Sequence, residues 1–475
     1  MSGVSGLRQA LYDRAPVWVQ NELCTFWGRR LERDRYGPAF ERWAAAWAER
    51  RSWSEERLRD YQREQVASLL AHAHANVPHY ADRWRAAGVA PESFRDLADL
   101  ARFPDTTKDD VFDAGERMVS AAADRASLVT LTTGGTTGQP LRLWRTREEL
   151  QAHYAAFWDR MRPGIRRGER YAAFQGKEVV PASQQGPPYW RDNRAANQRL
   201  YSMRHLAPAR LESYARDLAA TEFAYYQGYA NFMAVIAEYM AEHGIAPRVP
   251  PRAVFSTSDQ LSAATRRLFE TTWKTKVHDD YGQAECASLI GECEHGNRHE
   301  HLDYAFTEYL PVGEEDGLQV AEMVCTGFLT RTMPLIRYRV GDHVLVAPNE
   351  RCACGRPGPV IKAIRGRTSE FIVTPDGRRY PTVTHFVDLL RNVRRSQVVQ
   401  EREGEIVVRV VAMPDFSDGD ARHAADLFAS RIGGGIRVRV EKVAELERMP
   451  NGKILNIINR LPGYRSGRLT ATESD

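Results

Sequence analysis

Between residues 125 and 345, short β-like runs alternate with helical ones, and this alternation constrains the fold more than any other feature of the chain. Residues 127–132 and 252–256 read as strands, and a helix is expected near 261–269. Residues 231–243 place Phe232, Val235, Ile236, Tyr239 and Met240 on one helical face before Gly244. Alternation of this kind builds an α/β body in which helices cover sheets. Ahead of it, residues 1–100 read as helices wrapped on that body. Trp18, Trp27, Trp43, Trp47 and Trp53 punctuate their Arg-, Glu- and Ala-rich stretches as expected packing residues. Near residues 364–367 the character changes. Strand-like residues 370–373 lead to a turn at Asp376-Gly377 and an expected helix over 383–391. Residues 405–413 and 436–443 then read as strands around a helix over 420–431. This pattern predicts a small α+β domain of residues 366–475 after a large multi-sheet α/β domain of residues 1–365, joined at Gly366-Arg367.

A chain of 475 residues is too long for one compact domain, which fits that division. The formal charge of +4 is too weak to imply nucleic acid or an anionic membrane as partner. No segment approaches the roughly 18 apolar residues of a membrane span. Arg8, Asp13 and Arg14 interrupt any secretory apolar core, so the expected location is the cytoplasm. Six cysteines in a chain of this length make no disulfide framework. Seven Lys stand against fifty-nine Arg, so each lysine carries more information than usual.

Four segments carry recognisable chemistry. Thr132-Thr133-Gly134-Gly135-Thr136-Thr137-Gly138-Gln139-Pro140 lies between two strand-like runs. Its glycines let backbone N–H groups approach phosphate oxygens closely, although the same composition also makes a plain hairpin. No Gly-Lys-Ser/Thr follows, so it is not a P-loop. Asp279-Asp280-Tyr281-Gly282-Gln283-Ala284-Glu285 follows a β-like stretch and offers Glu285 as a Mg²⁺ ligand beside phosphates. The apolar run at residues 334–340 delivers Gly341-Asp342. Arg448-Met449-Pro450-Asn451-Gly452-Lys453 is a turn that presents one of the few lysines.

In order and spacing these segments resemble the adenylate-forming superfamily of acyl-CoA synthetases, adenylation domains and luciferases, and the resemblance spans essentially the whole chain. Within it the chain is similar to the phenylacetate-CoA ligase branch. That likeness rests on Val77-Pro78-His79-Tyr80, on Gln139-Pro140-Leu141 after the loop, and on Cys352-Ala353-Cys354-Gly355-Arg356. Two positions depart from the superfamily's pattern: Ala284 stands where Thr is usual, and Ser369-Glu370 where an Asp is expected near the hinge.

The resemblance implies ATP-dependent activation of a carboxylic acid to an acyl-AMP, then acyl transfer to CoA. An amine, a hydroxyl or a carrier-protein thiol is the alternative acceptor. It implies that Thr133, Gly134, Gly135, Thr136, Thr137 and Gly138 hold phosphates and that Glu285 holds Mg²⁺. Lys453 becomes the catalytic cation. Asp342 and Arg367 bind the ribose, while Ser256, Asp279, Tyr281 and Gly282 line the nucleotide site. The small domain is expected to swing about Gly366-Arg367. The acyl pocket is expected between the loop and Glu285, where Tyr189, Trp190, Phe223, Tyr225, Tyr226 and Tyr229 cluster, with Tyr189, Trp190, Tyr226 and Tyr229 as the chosen lining, residues that also suit a plain core. Cys293, His299, Cys352 and Cys354 form a Cys3His set suited to a structural zinc, with His295 and His301 as alternative nitrogen donors.

Overall fold

The computed structural model describes residues 9–132, 141–257, 261–315, 317–365, 372–377, 379–380, 389–433, 435–447 and 455–462. The expected phosphate loop, the hinge at Gly366-Arg367 and Lys453 lie outside them.

The amino-terminal third is helical. Helices α1 (Val17–Arg35), α2 (Pro38–Arg50), α3 (Glu55–Asn76) and α4 (Pro78–Ala86) run in succession. The α3–α4 junction follows from Val77-Pro78. A residue before proline is pushed out of helical backbone, and Val77 is extended at φ −114°, ψ 105°. Pro78 then opens the next helix, where its missing N–H costs nothing. Tyr80 on α4 is buried, and its hydroxyl donates to Pro334 O and accepts from Ile336 N, both at 3.0 Å. The Val-Pro-x-Tyr segment therefore fixes the chain leading into the strand that carries Asp342. The tryptophans divide in two. Trp47 is wholly buried, but Trp18 and Trp27 are 68% and 55% exposed, contrary to the expectation that all of them pack. The buried residues of α1 are instead the small or polar Gln20, Thr25 and Gly28.

Among the described residues, strands β3 (Tyr171–Phe174), β4 (Trp190–Asn193), β5 (Gln198–Tyr201), β6 (Tyr225–Gly228), β7 (Ala253–Thr257) and β8 (Val277–Gly282) form one half of a twelve-stranded sheet. The other half holds β9 (Leu289–Glu292), β10 (Arg298–Glu300), β11 (Ala305–Glu315), β12 (Leu318–Gly327), β13 (Tyr338–Ala347) and β14 (Val360–Arg365). Their order is β11-β12-β13-β14-β10-β9-β8-β7-β6-β3-β5-β4. The β5-β3-β6-β7-β8 run is parallel, whereas β8 meets β9 antiparallel and every pairing beyond it is antiparallel. A separate hairpin joins β1 (Val129–Thr132) to β2 (Arg142–Arg145), the two strands expected to flank the Gly/Thr loop.

Helix α5 (Lys108–Ala114) and helix α6 (Arg147–Met161) begin at reciprocal capping boxes, Thr107 with Asp110 and Thr146 with Glu149. Helices α7 (Leu211–Ala220), α8 (Ala230–Glu242) and α9 (Ala263–Trp273) fill the crossovers between parallel strands, the geometry that parallel pairing demands. Phe232, Ile236 and Met240, on the predicted face of α8, are fully buried.

After the large sheet come a two-stranded ladder, β15 (Ile372–Val373) with β16 (Arg379–Tyr380), and a four-stranded sheet. The latter holds β17 (Val393–Arg402), β18 (Glu405–Ala412), β19 (Arg437–Lys442) and β20 (Ile457–Asn459) in the order β19-β18-β17-β20. Helix α10 (Asp418–Ile432) buries Ala424, Phe428 and Ile432. The sequence reading anticipated β18, α10 and β19 but not β17, which pairs along most of β18. Residues 381–388 of the expected helix lie outside the described set, and residues 389–391 are not helical.

Candidate functional site at the change of strand direction

Strand β8 is the last parallel strand and the first with an antiparallel neighbour, and its carboxyl end carries Asp279, Asp280, Tyr281 and Gly282. Ligands of open α/β sheets gather outside the carboxyl ends of parallel strands, where the sheet changes its winding. Two cavities meet here. The larger, about 670 Å³, has Asp280 to Ala284 on its wall. The smaller, about 360 Å³, is lined by Asp279, Asp280 and Tyr281 together with Arg298, Lys362 and Ile364. The end of β8 thus separates an aromatic chamber from a polar one.

Hydrogen bonds hold this partition. The Tyr281 hydroxyl donates to Asp342 Oδ2 at 2.8 Å, linking β8 to β13 across the sheet. Gln283 Nε2 donates to the Tyr281 oxygen at 2.5 Å, while Gln283 Oε1 accepts from Ser288 N at 3.1 Å. Asp342, which follows Gly341 (φ 78°), is buried. The Tyr338 hydroxyl, also on β13, stands 3.4 Å from Glu285 Oε1. Arg145, at the end of β2, donates to the carbonyl of Ala284, bringing the hairpin around the Gly/Thr loop against the 281–285 segment. Tyr281, Gly282, Glu285 and Asp342 therefore occupy one neighbourhood. Ser256 is buried on β7 opposite Asp279 on β8.

The adjoining charges are mostly matched. Asp279 is bound by Arg298 at 2.6 Å, and Glu292 by Arg266 at 2.9 Å. Asp280 is buried deeply enough to push its carboxyl up to about 7, even with the Arg162 guanidinium paired to it. Arg162 is sandwiched between Phe157 and Phe255, 4.0 and 4.1 Å from their ring centroids. Cys286 follows Glu285 in left-handed backbone (φ 54°) and is buried. Burial would raise its thiol, but Arg145 and His153 nearby bring it down to about 6.

Tyr189, Trp190, Tyr226 and Tyr229 line neither cavity. Tyr189 and Tyr226 are buried in a large apolar cluster, and Trp190 and Tyr229 pack against it. The aromatic wall of the large cavity is instead built by Tyr36, Tyr154, Phe157, Trp158, Tyr171 and Tyr225. Tyr171 and Tyr225 stack at 4.7 Å on neighbouring parallel strands. Sequence reasoning named Tyr225 in its aromatic cluster but missed the other five because their apolar patterns match those of core residues. A usable signal was Lys177 on the same wall, one of seven lysines.

A second centre lies near the β9–β10 hairpin. Cys293 follows β9, His299 sits in β10, and Cys352 and Cys354 come from the turn before β14. One ligand atom from each lies within 4.8 Å of all the others. Cys293 Sγ is 3.7 Å from Cys352 Sγ, and Cys354 Sγ is 3.4 Å from His299 Nε2. A tetrahedral zinc with ordinary bond lengths separates two sulfurs by about 3.8 Å and a sulfur from a nitrogen by about 3.6 Å. The spacing suits a four-coordinate metal. Asn297 Nδ2 donates to Cys352 Sγ at 3.3 Å and so orients one of these sulfurs. His295 and His301, the alternative nitrogens, are not in the group.

Residues 373–460 match the family model of the CapK C-terminal domain. The chain is 22% identical to Protein CapK of Staphylococcus aureus over 458 residues, which cover 95% of this chain and 99% of that one. It is 24% identical to a phenylacetate-coenzyme A ligase of Thermus thermophilus over 380 residues, 74% of this chain and 80% of the relative. A similar solved structure is 2-hydroxyisobutyryl-CoA ligase in complex with 2-HIB-AMP and CoA in the thioesterification state. It is 19% identical, with a TM-score of 0.56 over 86% of this chain and 90% of that one, a likeness of fold. No helix among the described residues is long and apolar enough to cross a membrane.

Proposed function

We propose that this chain, which belongs to the adenylate-forming superfamily in its phenylacetate-CoA ligase-like branch, uses ATP to activate a carboxylic acid as its acyl-AMP and then transfers the acyl group to CoA. The observation that carries the reading is the partition at the end of β8. There the Tyr281–Asp342 hydrogen bond stands between an aromatic cavity large enough for an organic acid and a smaller polar cavity.

In this reading the acid enters the larger cavity and directs its carboxylate toward Gly282–Ala284. The nucleotide lies on the other side of Tyr281, with Ser256 and Asp279 near the base and Asp342 and Arg367 on the ribose. Thr133 to Gly138 wrap the β- and γ-phosphates. Glu285 would hold Mg²⁺, which offsets phosphate charge when bound. A carboxylate oxygen attacks the α-phosphorus and pyrophosphate leaves, giving acyl-AMP. Lys453 places its ammonium between the two reacting anions. The protein's work is alignment and charge neutralisation, since the bond changes need no covalent partner from it. The small domain, from about Gly366, then turns so that the CoA thiolate attacks the acyl carbon and AMP departs.

Cys293, His299, Cys352 and Cys354 would hold a structural zinc, which pins the turn before β14 to the β9–β10 hairpin. Their set leaves no open position for chemistry.

The test is pyrophosphate release with a panel of acids, with and without CoA. Release that depends on one acid class, with AMP and a thioester formed in step once CoA is added, is the expected result. Acyl-AMP that persists with CoA but is consumed by an added amine or carrier protein replaces the acceptor. Absence of release across the panel defeats the adenylation reading.

A further inference from the structure

The large cavity is aromatic on one side, but its polar inventory is unbalanced. Three carboxylates reach its wall, and each has a cation. Asp280 pairs with Arg162. Glu178 pairs with Arg204 at 2.6 Å and also with Arg431. Glu32 faces Arg167 at 3.8 Å. Two further cations on the wall, Arg35 and Lys177, have no carboxylate within ion-pair distance among the described residues; Arg35 lies over the Tyr154 ring at 4.6 Å. Gln175 and Gln227 line the same region and make no side-chain hydrogen bond among the described residues. Lys177 is exposed to the water of the chamber, yet the protein packed around it and the neighbouring Arg35 hold its ammonium below the ordinary lysine range. Two like charges kept together in a partly desolvated chamber are costly unless an anion joins them.

Their position in the sheet gives a length. Gln175 and Lys177 follow the carboxyl end of β3, and Gly282 to Ala284 follow that of β8. These strands are parallel and separated by β6 and β7. Three strand spacings make about 14 Å. Lys177 therefore stands at the end of the cavity remote from the place proposed for the reacting carboxylate, and Arg35 is the nearest cation to it on the wall.

We propose that the acid activated here carries a second anionic group, a carboxylate or a phosphate, at the end remote from the reacting carboxylate, and that Lys177 and Arg35 bind it. This inference rests on the adenylation reading for the site. A charge-assisted contact of this kind gives about ten- to hundredfold discrimination against an acid that lacks it.

The experiment compares a length series of α,ω-dicarboxylic acids with monocarboxylic acids of the same lengths. Pyrophosphate release reports activation, and calorimetric titration without ATP reports binding. A parallel set of ω-phosphono acids separates a carboxylate from a phosphate terminus. In the wild-type protein the doubly anionic acids are expected to win by about ten- to hundredfold at an intermediate length. Lys177→Met should collapse that ratio toward one, Lys177→Arg should restore much of it, and melting curves check that both variants fold. A wild-type ratio of one, or a preference for monoacids, overturns the inference while leaving adenylation intact. Lys177-dependent binding of the diacid without pyrophosphate release upholds the inference and defeats the adenylation reading. Binding of none of the acids overturns the inference.

Discussion

Tyr281 and Asp342 lie 61 residues apart in sequence, and their 2.8 Å hydrogen bond joins the parallel half of the sheet to the antiparallel half. A hydrogen bond to an ionised acceptor contributes about 1.5–3 kcal/mol. In the proposed site the carboxylate must also stay aimed at two ribose hydroxyls, which one fixed donor helps to achieve. Tyr281→Phe should therefore raise the KM for ATP by about tenfold or more, measured by pyrophosphate exchange, with a smaller effect on the KM for the acid. An unchanged KM for ATP would mean that the bond serves only to tie the sheet together. Asp342→Asn keeps the volume and loses the charge, so it should weaken ATP at least as strongly. Both residues were legible in the sequence because Tyr-Gly-x-x-Glu and Gly-Asp are local strings with a fixed chemistry. Gln283, which steadies the Tyr281 oxygen, and Arg162, which neutralises Asp280, were not. A long-range side-chain pair leaves no periodicity in either of its two segments.

At the scale of elements, legibility followed locality. The helices read at residues 231–243 and near 261–269, and the strands flanking the Gly/Thr loop, are set by neighbours in sequence, and they formed near the expected places. Strand β17 was missed because polar and charged residues interrupt it, and because residues 396–400 are all buried, so neither face shows an apolar alternation. Tyr189, Trp190, Tyr226 and Tyr229 line neither cavity for a related reason. Tyr226 and Tyr225 are neighbours on β6 and point to opposite faces, so a one-residue difference decides between core and cavity. Close packing of these strands gives a direct test. A Cβ on Gly228 would lie 2.1 Å from the carbonyl oxygen of Phe174 on β3. Gly228→Ala should therefore destabilise the protein by about 3 kcal/mol, seen as a lower denaturation midpoint. The cysteine cluster links elements in the same way, since its ligands come from the β9–β10 hairpin and from the turn before β14. Protein purified without chelator should carry about one zinc per chain by elemental analysis. Cys352→Ser should lower both metal content and melting temperature. Metal-free wild-type protein of unchanged stability would leave the four side chains as packed thiols and an imidazole.

The proposed reaction asks the whole molecule to do two chemically distinct things to one carboxyl group, first at its oxygen and then at its carbon, and one arrangement of its parts cannot serve both. Adenylation needs a cation where a carboxylate approaches a phosphate, and the thioester step needs that space open for a thiol. In the proposed division the cation assigned to the first step, Lys453, falls in the small domain, whereas Tyr281, Glu285 and Asp342 fall in the large one. Removal of the lysine side chain should therefore separate the two halves of the reaction. Loss of one preorganised charge at a developing anion costs about 3–4 kcal/mol, so Lys453→Ala should lower acyl-AMP formation by about 100- to 1,000-fold. The same variant, given synthetic acyl-AMP and CoA, should form thioester at close to the wild-type rate, because its other contacts with the adenylate are intact. Rapid-quench measurement of the two half-reactions checks both parts. Equal losses in both would place Lys453 in a contact common to the two arrangements, and undiminished adenylation would remove it from the chemistry. Only the combination of a slow first step and a preserved second one supports a domain that brings its lysine to the site and then withdraws it.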